Sequence, residues 1–385
     1  MTCDTAPLIS SPVQPQETTI CVALELSRST WLVGINLPGS EKISKHTVAG
    51  GDGAALLALL AKIKDKAEHQ LGRALRLVVI QEAGRDGFWI HRLLEAAGIQ
   101  SQVVDPASIA VSRRHRRAKT DALDLDLLMR TLLAWLRGER RVCAMVRAPS
   151  VEAEDARRGS RERERLVKER TQHVNRIKAL LATQGGIDFQ PTRHDARERL
   201  EPVKTGDGRA LPARLKAELL RGFDRLDRVA RQLVDIERER DAALQASTGA
   251  SEKASLLVRL KGIGPQGATV LLHEAFHRPF SNRRESAAYA GLVPSPWQSG
   301  GTDHEQGISK SGNARLRGTM TELAWLWLRH QPGSALSVWF HEHVGKAKGR
   351  RRRLAIVALA RKLLVALWRS VEHGVVPEGA DVKAA

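Results

Sequence analysis

Two carboxylates stand three residues apart in Lys119-Thr120-Asp121-Ala122-Leu123-Asp124, at the head of an apolar run of Leu123, Leu125, Leu127, Leu128 and Met129. On a helix, positions i and i+3 share a face, so Asp121 and Asp124 point the same way. A dense cationic segment, Arg113-Arg114-His115-Arg116-Arg117-Ala118-Lys119, comes directly before them. Paired acids beside a cation cluster suit a hard metal ion brought up to a phosphate backbone. Taken alone, the two acids fit an ordinary first helical turn better, because the helix dipole favours negative charge there. Two further acids change that balance. Glu25 lies inside the apolar run Thr19-Ile20-Cys21-Val22-Ala23-Leu24-Glu25-Leu26, where a buried carboxylate is costly unless paired or metal-bound. Glu82 follows the buried strand Leu75–Ile80, just past its C-terminal end, where open α/β sheets place ligands. Four carboxylates converging on one site would suit two divalent ions about 4 Å apart, clamping the oxygens of a phosphoryl transfer.

The elements that must position these acids follow from hydrophobic period. Thr19–Leu26 is a strand buried on both faces. Trp31–Leu37 and Lys42–Val48 follow as strands, an antiparallel meander opening a mixed sheet. Residues 53–67 are helical, with Leu56, Leu57, Leu59, Leu60 and Ile63 along one side. Leu75–Ile80 is a strand, Trp89–Ala97 a helix and Gln102–Asp105 a strand closed by Pro106, before the Asp121 helix runs to about Leu136. The order β-β-β-α-β-α-β-α is that of an α/β fold.

Composition sets the class of partner. The 385 residues carry 62 Lys plus Arg against 43 Asp plus Glu, a formal charge of +19, and that excess points to a polyanion, most plainly nucleic acid. Hydrophobic residues make up 42%, enough for a proper core. No stretch approaches the roughly 18 uncharged apolar residues of a membrane span. The N-terminal residues lack a basic n-region and an apolar h-region, so no secretory signal is expected. Cys3, Cys21 and Cys143 are too few and too scattered for a disulfide framework or a zinc site. A cytoplasmic, reduced protein is expected.

From Val151 to Ala246 aromatic residues nearly vanish and charge rises. Leu166, Val174, Ile177, Leu180 and Leu181 mark one helix, and Leu215, Leu219, Leu226, Val229, Leu233 and Ile236 mark a second. Two long charged helices joined by a loop make a helical hairpin or coiled-coil arm. Beyond it, Gly262-Ile263-Gly264-Pro265-Gln266-Gly267 matches G-x-G-x-x-G formally. The preceding segment is helical, so a dinucleotide site is rejected. A helix–hairpin–helix turn, in which Lys261, Gly262 and Gly264 approach a DNA phosphate, and a plain helix-to-helix turn fit equally. A glycine-rich loop, Ser295-Pro296-Trp297-Gln298-Ser299-Gly300-Gly301, carries an exposed-looking serine. After it come Gly307-Ile308-Ser309-Lys310-Ser311-Gly312-Asn313 and the cations Arg315 and Arg317. Lys346–Arg353 is strongly basic, and Leu354–Val371 is a final amphipathic helix.

Taken together, Lys119-Thr120-Asp121…Asp124, Glu82-Ala83-Gly84, Leu260-Lys261-Gly262-Ile263-Gly264-Pro265, Ala288-Tyr289-Ala290-Gly291-Leu292-Val293-Pro294…Ser299-Gly300 and Gly307-Ile308-Ser309-Lys310…Gly312-Asn313…Leu316-Arg317 form a pattern. The chain resembles the insertion-sequence transposases with an N-terminal RuvC-like DEDD domain and a C-terminal serine-bearing transposase domain, over about residues 18–374. The resemblance implies an RNase H-like mixed sheet with helices, a long helical arm and a mainly helical C-terminal domain. Its expected divisions are a tail at 1–17, a catalytic domain at 18–145, the arm at 146–250, the serine domain at 251–374 and a tail at 375–385. It implies that Glu25, Glu82, Asp121 and Asp124 bind Mg²⁺ and that Ser299 is the nucleophile, with Ser295, Ser309 and Ser311 as neighbouring alternatives. It also implies donor and target DNA, a non-coding bridge RNA as guide, and homo-dimers that join into tetramers in which one subunit's acids complete a site with another's serine. Arg113, Arg114, Arg116, Arg117, Lys119, Lys261, Gly262, Gly264, Lys310, Arg315 and Arg317 are the expected nucleic-acid contacts.

One residue departs from the family pattern. The first acid is usually Asp, whereas Glu25 is one methylene longer, a change to which two-metal geometry is sensitive. Two other readings stand beside the recombinase: a metal-dependent structure-specific nuclease in which Ser299 is structural, and a decayed nucleic-acid-binding copy. His273-Glu274-Ala275-Phe276-His277 also matches the zinc motif H-E-x-x-H, though it sits in a DNA-binding-like segment.

Overall fold

The computed structural model describes residues 18–84, 87–110, 120–185, 188–246 and 250–383. It divides into two compact units, Met1–Ser150 and Val151–Ala385.

The first unit runs β1 (Thr19–Leu26), β2 (Thr30–Asn36), β3 (Ile43–Ala49), α1 (Gly53–Leu71), β4 (Arg76–Glu82), α2 (Trp89–Ala96), β5 (Gln100–Val104), a single 3₁₀ turn at Pro106–Ser108 and α3 (Asp121–Leu136). The element order is the expected one. The five strands lie in the order β3-β2-β1-β4-β5. β1 pairs antiparallel with β2 and parallel with β4, and β4 pairs parallel with β5. The central β1 is apolar on both faces because helices cover both. Ile20, Val22 and Leu24 pack with Leu56, Leu60, Ile90 and Leu94 of α1 and α2. Cys21 and Ala23, with Val78 and Ile80, pack against Leu125, Leu128, Met129 and Leu132 of α3. Cys21 and Cys143 are buried free thiols in this second layer, and burial pushes the Cys21 thiol up to about 11. Asp52 caps α1 by accepting from the Ala55 N–H, and Gly72, at φ 62°, ends it. α1 is therefore a turn longer than its apolar stripe, and β4 reaches Glu82, which the sequence pattern leaves outside the strand.

The second unit begins with a short helix α4 (Val151–Asp155) and the arm, α5 (Arg158–Ala182), α6 (Ala196–Leu200) and α7 (Ala213–Ala246). α5 and α7 form the expected hairpin. Ile177 and Leu181 meet Leu219, Phe223 and Leu226, while Leu166 meets Val229 and Leu233. Arg163–Glu237 at 2.7 Å and Arg176–Glu218 at 2.9 Å mark the antiparallel register. There follow α8 (Ala250–Arg259), α9 (Pro265–Glu274), α10 (Arg283–Tyr289), β6 (Pro294–Ser299), β7 (Thr302–Ile308), α11 (Ala314–His330), α12 (Ala335–Val344) and α13 (Arg350–His373). Leu257, Leu271, Leu323, Trp327, Leu363 and Leu367 belong to one core here. The fully buried Trp327 satisfies its indole N–H by donating to the Ser334 hydroxyl at 2.8 Å.

Three features of this unit differ from the sequence pattern. The glycine-rich serine stretch is a two-stranded hairpin rather than a loop, α10 and α12 have no clear apolar period, and α13 begins within the arginine run. Among the described residues, no helix is long and apolar enough to cross a membrane.

Leu128 is fully buried between α3 and the sheet. Leu128→Ala is expected to cost about 2–5 kcal/mol, read from the urea unfolding midpoint. A loss under about 1 kcal/mol would contradict this packing.

Candidate active site

Strand register sets the first pair of acids. Leu24 stands opposite Gln81 in the parallel β1–β4 ladder, and Glu25 and Glu82 come one step later. Side chains alternate along a strand, so Glu25 follows Cys21 and Ala23, and Glu82 follows Val78 and Ile80, onto the face covered by α3. Both are half-buried, and both line a cavity of about 560 Å³ at the strand ends together with Arg28, Trp31 and Trp89.

The second pair is set by a helix start. Thr120 accepts from the Leu123 N–H and makes Asp121 the first residue of α3. Asp121 and Asp124 lie one turn before Leu125 and Leu128, which are fully buried against the sheet, so both acids extend the sheet-facing stripe. Leu125 packs over Gly34, where a Cβ would stand 2.9 Å from its Cδ2; Gly34 pairs with Ala23, two residues before Glu25. The start of α3 is thereby held over the Glu25 half of β1. Asp121 is exposed and Asp124 half-buried.

All four carboxylates thus belong to the α3 side of the sheet. An all-oxygen donor set fits a hard divalent cation. Among the described residues, however, no three His, Cys, Asp or Glu side chains stand close enough together to hold a metal ion, so the two pairs share a face without closing into one group. Arg113, Arg114, Arg116, Arg117 and Lys119 lie outside the described residues.

In the second unit, Ser299 is the last residue of β6 and pairs with Thr302 of β7 across the Gly300-Gly301 turn. Gly300 has φ 58°, the left-handed conformation that a two-residue hairpin turn requires. The base of the hairpin is braced by the two glycine motifs. Gly291 and Gly312 both have positive φ, and a side chain at either would collide with the carbonyl of Ser311 or Tyr289. Arg317 donates to the carbonyls of Ala290 and Lys310, at 3.2 and 3.1 Å. Lys310 itself is exposed and holds φ 57°.

The remaining expected nucleic-acid residues have varied surroundings. Lys261 pairs with Asp381 at 3.2 Å. Gly262, at φ 87°, lies where a Cβ would meet the Leu326 carbonyl at 3.2 Å, so it serves close packing against α11, whereas Gly264 faces open space. Arg315 is paired internally with Glu164 and lies 3.6 Å from Glu274.

Glu274 is the buried centre of this region. It accepts from Arg161 at 2.9 and 3.2 Å and from the Asn313 amide at 2.9 Å. Asn313 also caps α11 by accepting from the Arg315 and Leu316 N–H groups. Burial pushes the Glu274 carboxyl up, but the hydrogen bonds from Arg161 and Asn313 and the charge of Arg161 outweigh it and hold it below the usual range. These contacts overturn the H-E-x-x-H reading. α9 ends at Glu274, so His277 lies beyond the helix, and Arg157 donates to its Nε2 at 2.7 Å. Burial, then the Arg157 charge, pushes His277 down to about 4, so it is neutral at pH 7. Glu274 and Asn313 were not among the expected functional residues; a carboxylate inside an apolar helix is the signal that finds the first of them.

Glu274→Ala is expected to cost about 3 kcal/mol, the lower end for breaking a buried ion pair because Arg161 is 48% exposed. Both depressed groups stabilise the fold above their ordinary titration range and lose that contribution as pH falls. Stability should therefore drop between about pH 6.5 and about pH 4 through His277, with His277→Gln flattening this part of a denaturation-versus-pH series. An unchanged slope in that variant would refute the assignment.

Comparison with known proteins gives these sites their context. Residues 254–338 match the model described as the transposase IS116/IS110/IS902 family, and residues 27–184 match a transposase model of the IS110 DEDD type, which begins two residues after Glu25. A Sinorhizobium fredii protein named as transposase y4rJ is 56% identical over 374 residues, covering 94% of each chain. The transposase for insertion sequence element IS1111A of Coxiella burnetii is 27% identical over 76% of each chain. The transposase for insertion sequence element IS1328 of Yersinia enterocolitica is 29% identical over 56% of this chain and 62% of its own. A RuvC-like DEDD unit followed by a helical unit with the family's glycine motifs, in a chain this close to a transposase along nearly its whole length, belongs to the IS110 family of insertion-sequence transposases, DNA recombinases by activity.

Proposed function

We propose that this transposase cuts and rejoins DNA through Ser299, with Glu25, Glu82, Asp121 and Asp124 holding Mg²⁺, and that a non-coding bridge RNA selects donor and target. The observation that carries the acidic half is the placement of all four carboxylates on one face of a RuvC-like sheet, two at adjacent parallel strand ends and two at a helix start. When bound, the metal neutralises phosphate charge and lowers the pKa of the attacking hydroxyl. The Ser299 oxygen forms an ester with the phosphorus as the bond from phosphorus to the departing strand oxygen breaks, and the serine proton ends on that oxygen. A strand hydroxyl from the second DNA then reverses the step, so the phosphodiester energy is conserved and no nucleotide triphosphate is consumed. The glycine turn after Ser299 supports this reading, since a small turn lets the backbone approach DNA closely.

The cations Arg113, Arg114, Arg116, Arg117, Lys119 and Lys310 contact nucleic acid in this reading. Lys261, Gly262 and Gly264 sit at the turn that would meet phosphate; Arg317 acts by bracing the loop from which Lys310 projects, and Arg315 by tying the start of α11 to the arm. Dimers joined into tetramers bring one subunit's acids to another's serine, and the reaction takes place in the cytoplasm. The longer Glu25 occupies the position of the family's usual aspartate.

Ser299→Ala should abolish the covalent protein–DNA adduct seen on denaturing gels and lower recombination on the order of 10³-fold or more. Asp121→Asn and Asp124→Asn should do the same, with chelation silencing the wild type and added Mg²⁺ restoring it. An adduct that persists in Ser299→Ala would move the nucleophile to another serine, and cleavage without any adduct would replace the recombinase by a nuclease.

A further inference from the structure

We propose that α12, the first half of α13 and the outer face of α11 form a docking platform for an unpaired DNA strand. The platform takes phosphates on the arginine run and a base on Trp325, with Trp339 bracing α12 against α13. It rests on DNA being the substrate, and is independent of which residue is the nucleophile.

The charge is concentrated and uncompensated. Six of the eight residues Lys346–Arg353 are Lys or Arg, all six are exposed, and Glu342 is the one acid between His341 and Arg353. Among the described residues none of the six forms an ion pair. Arg350–Arg353 occupy the first turn of α13, which has no side-chain cap and no acid. Four cations at the positive end of a helix dipole repel it and one another, the reverse of what a solvated helix start favours. A polyanion laid across them removes that penalty.

Charge alone would describe any phosphate contact. The aromatic groups make the surface more specific. Trp325 of α11 is 39% exposed, and the Arg352 guanidinium lies 5.0 Å from its ring centroid. Trp339 of α12 stacks on His343 at 5.2 Å and 16°, and Lys362 lies 4.4 Å over the Trp339 ring. Arg351 reaches the His343 carbonyl at 3.4 Å. Arg351 and Lys362 are eleven residues apart on α13, close to three full turns, so they share a stripe beside α12. Leu326 and Leu354, both at least 40% exposed, extend the surface. An exposed aromatic ring set among cations, as Trp325 is, suits a single strand, because a base stacks on the ring while the backbone tracks the charge. A duplex offers only its phosphates and leaves the rings idle.

The test is fluorescence anisotropy on the full-length protein with a 20-nucleotide oligothymidine, a duplex of the same length, the matching oligouridine and anionic vesicles, across a salt series. Trp325→Ala should weaken single-strand binding about 5- to 100-fold and leave duplex affinity and the salt slope unchanged. Trp325→Phe should retain most of the binding. Arg350→Gln with Arg353→Gln should weaken both forms and reduce the salt slope by roughly 1–2. Ultraviolet crosslinking of the oligothymidine, mapped by mass spectrometry, should mark peptides from α11 to α13. Should Trp325→Ala fail to fold, Trp325→Gln carries the same single-strand-against-duplex comparison. The proposal is overturned if Trp325→Ala leaves single-strand binding intact or weakens duplex binding equally, if Arg350→Gln with Arg353→Gln leaves single-strand binding intact, if crosslinks map only elsewhere, or if oligouridine or vesicles bind more tightly than oligothymidine.

Discussion

A carboxylate with no access to water organises the C-terminal unit. Glu274 ends α9 at the bottom of an apolar helix, where an unpaired charge would be prohibitive. Its oxygens are met by Arg161 from the arm and Asn313 from the start of α11, with Arg315 close by. Two of these neighbours also act elsewhere, since Asn313 caps α11 and Arg315 pairs with Glu164 of the arm. One buried charge therefore sets the arm against the C-terminal helices and fixes where the Gly307–Asn313 motif leaves the core. Arg315 is thereby paired to the arm through Glu164, and Arg317, beside it on α11, donates to the Ala290 and Lys310 carbonyls. Their charges are used to hold backbone and arm, which leaves the outer cations to meet a polyanion.

The first unit rests on a different constraint. A parallel ladder brings the ends of β1 and β4 to the same edge, and alternation decides which residues face which helix layer. A one-residue slip would put Glu25 and Glu82 among Leu56 and Leu60 instead of beneath α3. Ile20, Val22 and Leu24 fill one core and the smaller Cys21 and Ala23 the other, so a slip would exchange large for small side chains, and the residues that fill two cores also aim the acids.

Much of this was legible in the sequence. Apolar strands and an amphipathic helix gave away the element order of the first unit, and the i, i+3 spacing gave away the common face of Asp121 and Asp124. The charged hairpin was legible from its leucine spacing. The β6–β7 ribbon was not, because Pro294–Ser299 and Thr302–Ile308 have no apolar alternation and are joined through backbone pairing. The start of α13 was hidden for a related reason: four arginines carry no hydrophobic period, and the helix there is continued from the core-facing turns behind it. The relative placement of the two acid pairs depends on how α3 crosses the sheet over Gly34, a tertiary fact that neither period encodes.

Among the described residues, the hairpin that ends in Ser299 has no third strand beside it, and it is joined to its domain at Val293 and Ser309. A two-stranded ribbon has little stability of its own in water. Its tip can therefore bend without disturbing the helices beneath, while its base stays clamped between Gly291 and Gly312. In the proposed reaction the Gly291 and Gly312 turns would be the fixed end of a lever whose free end meets the substrate.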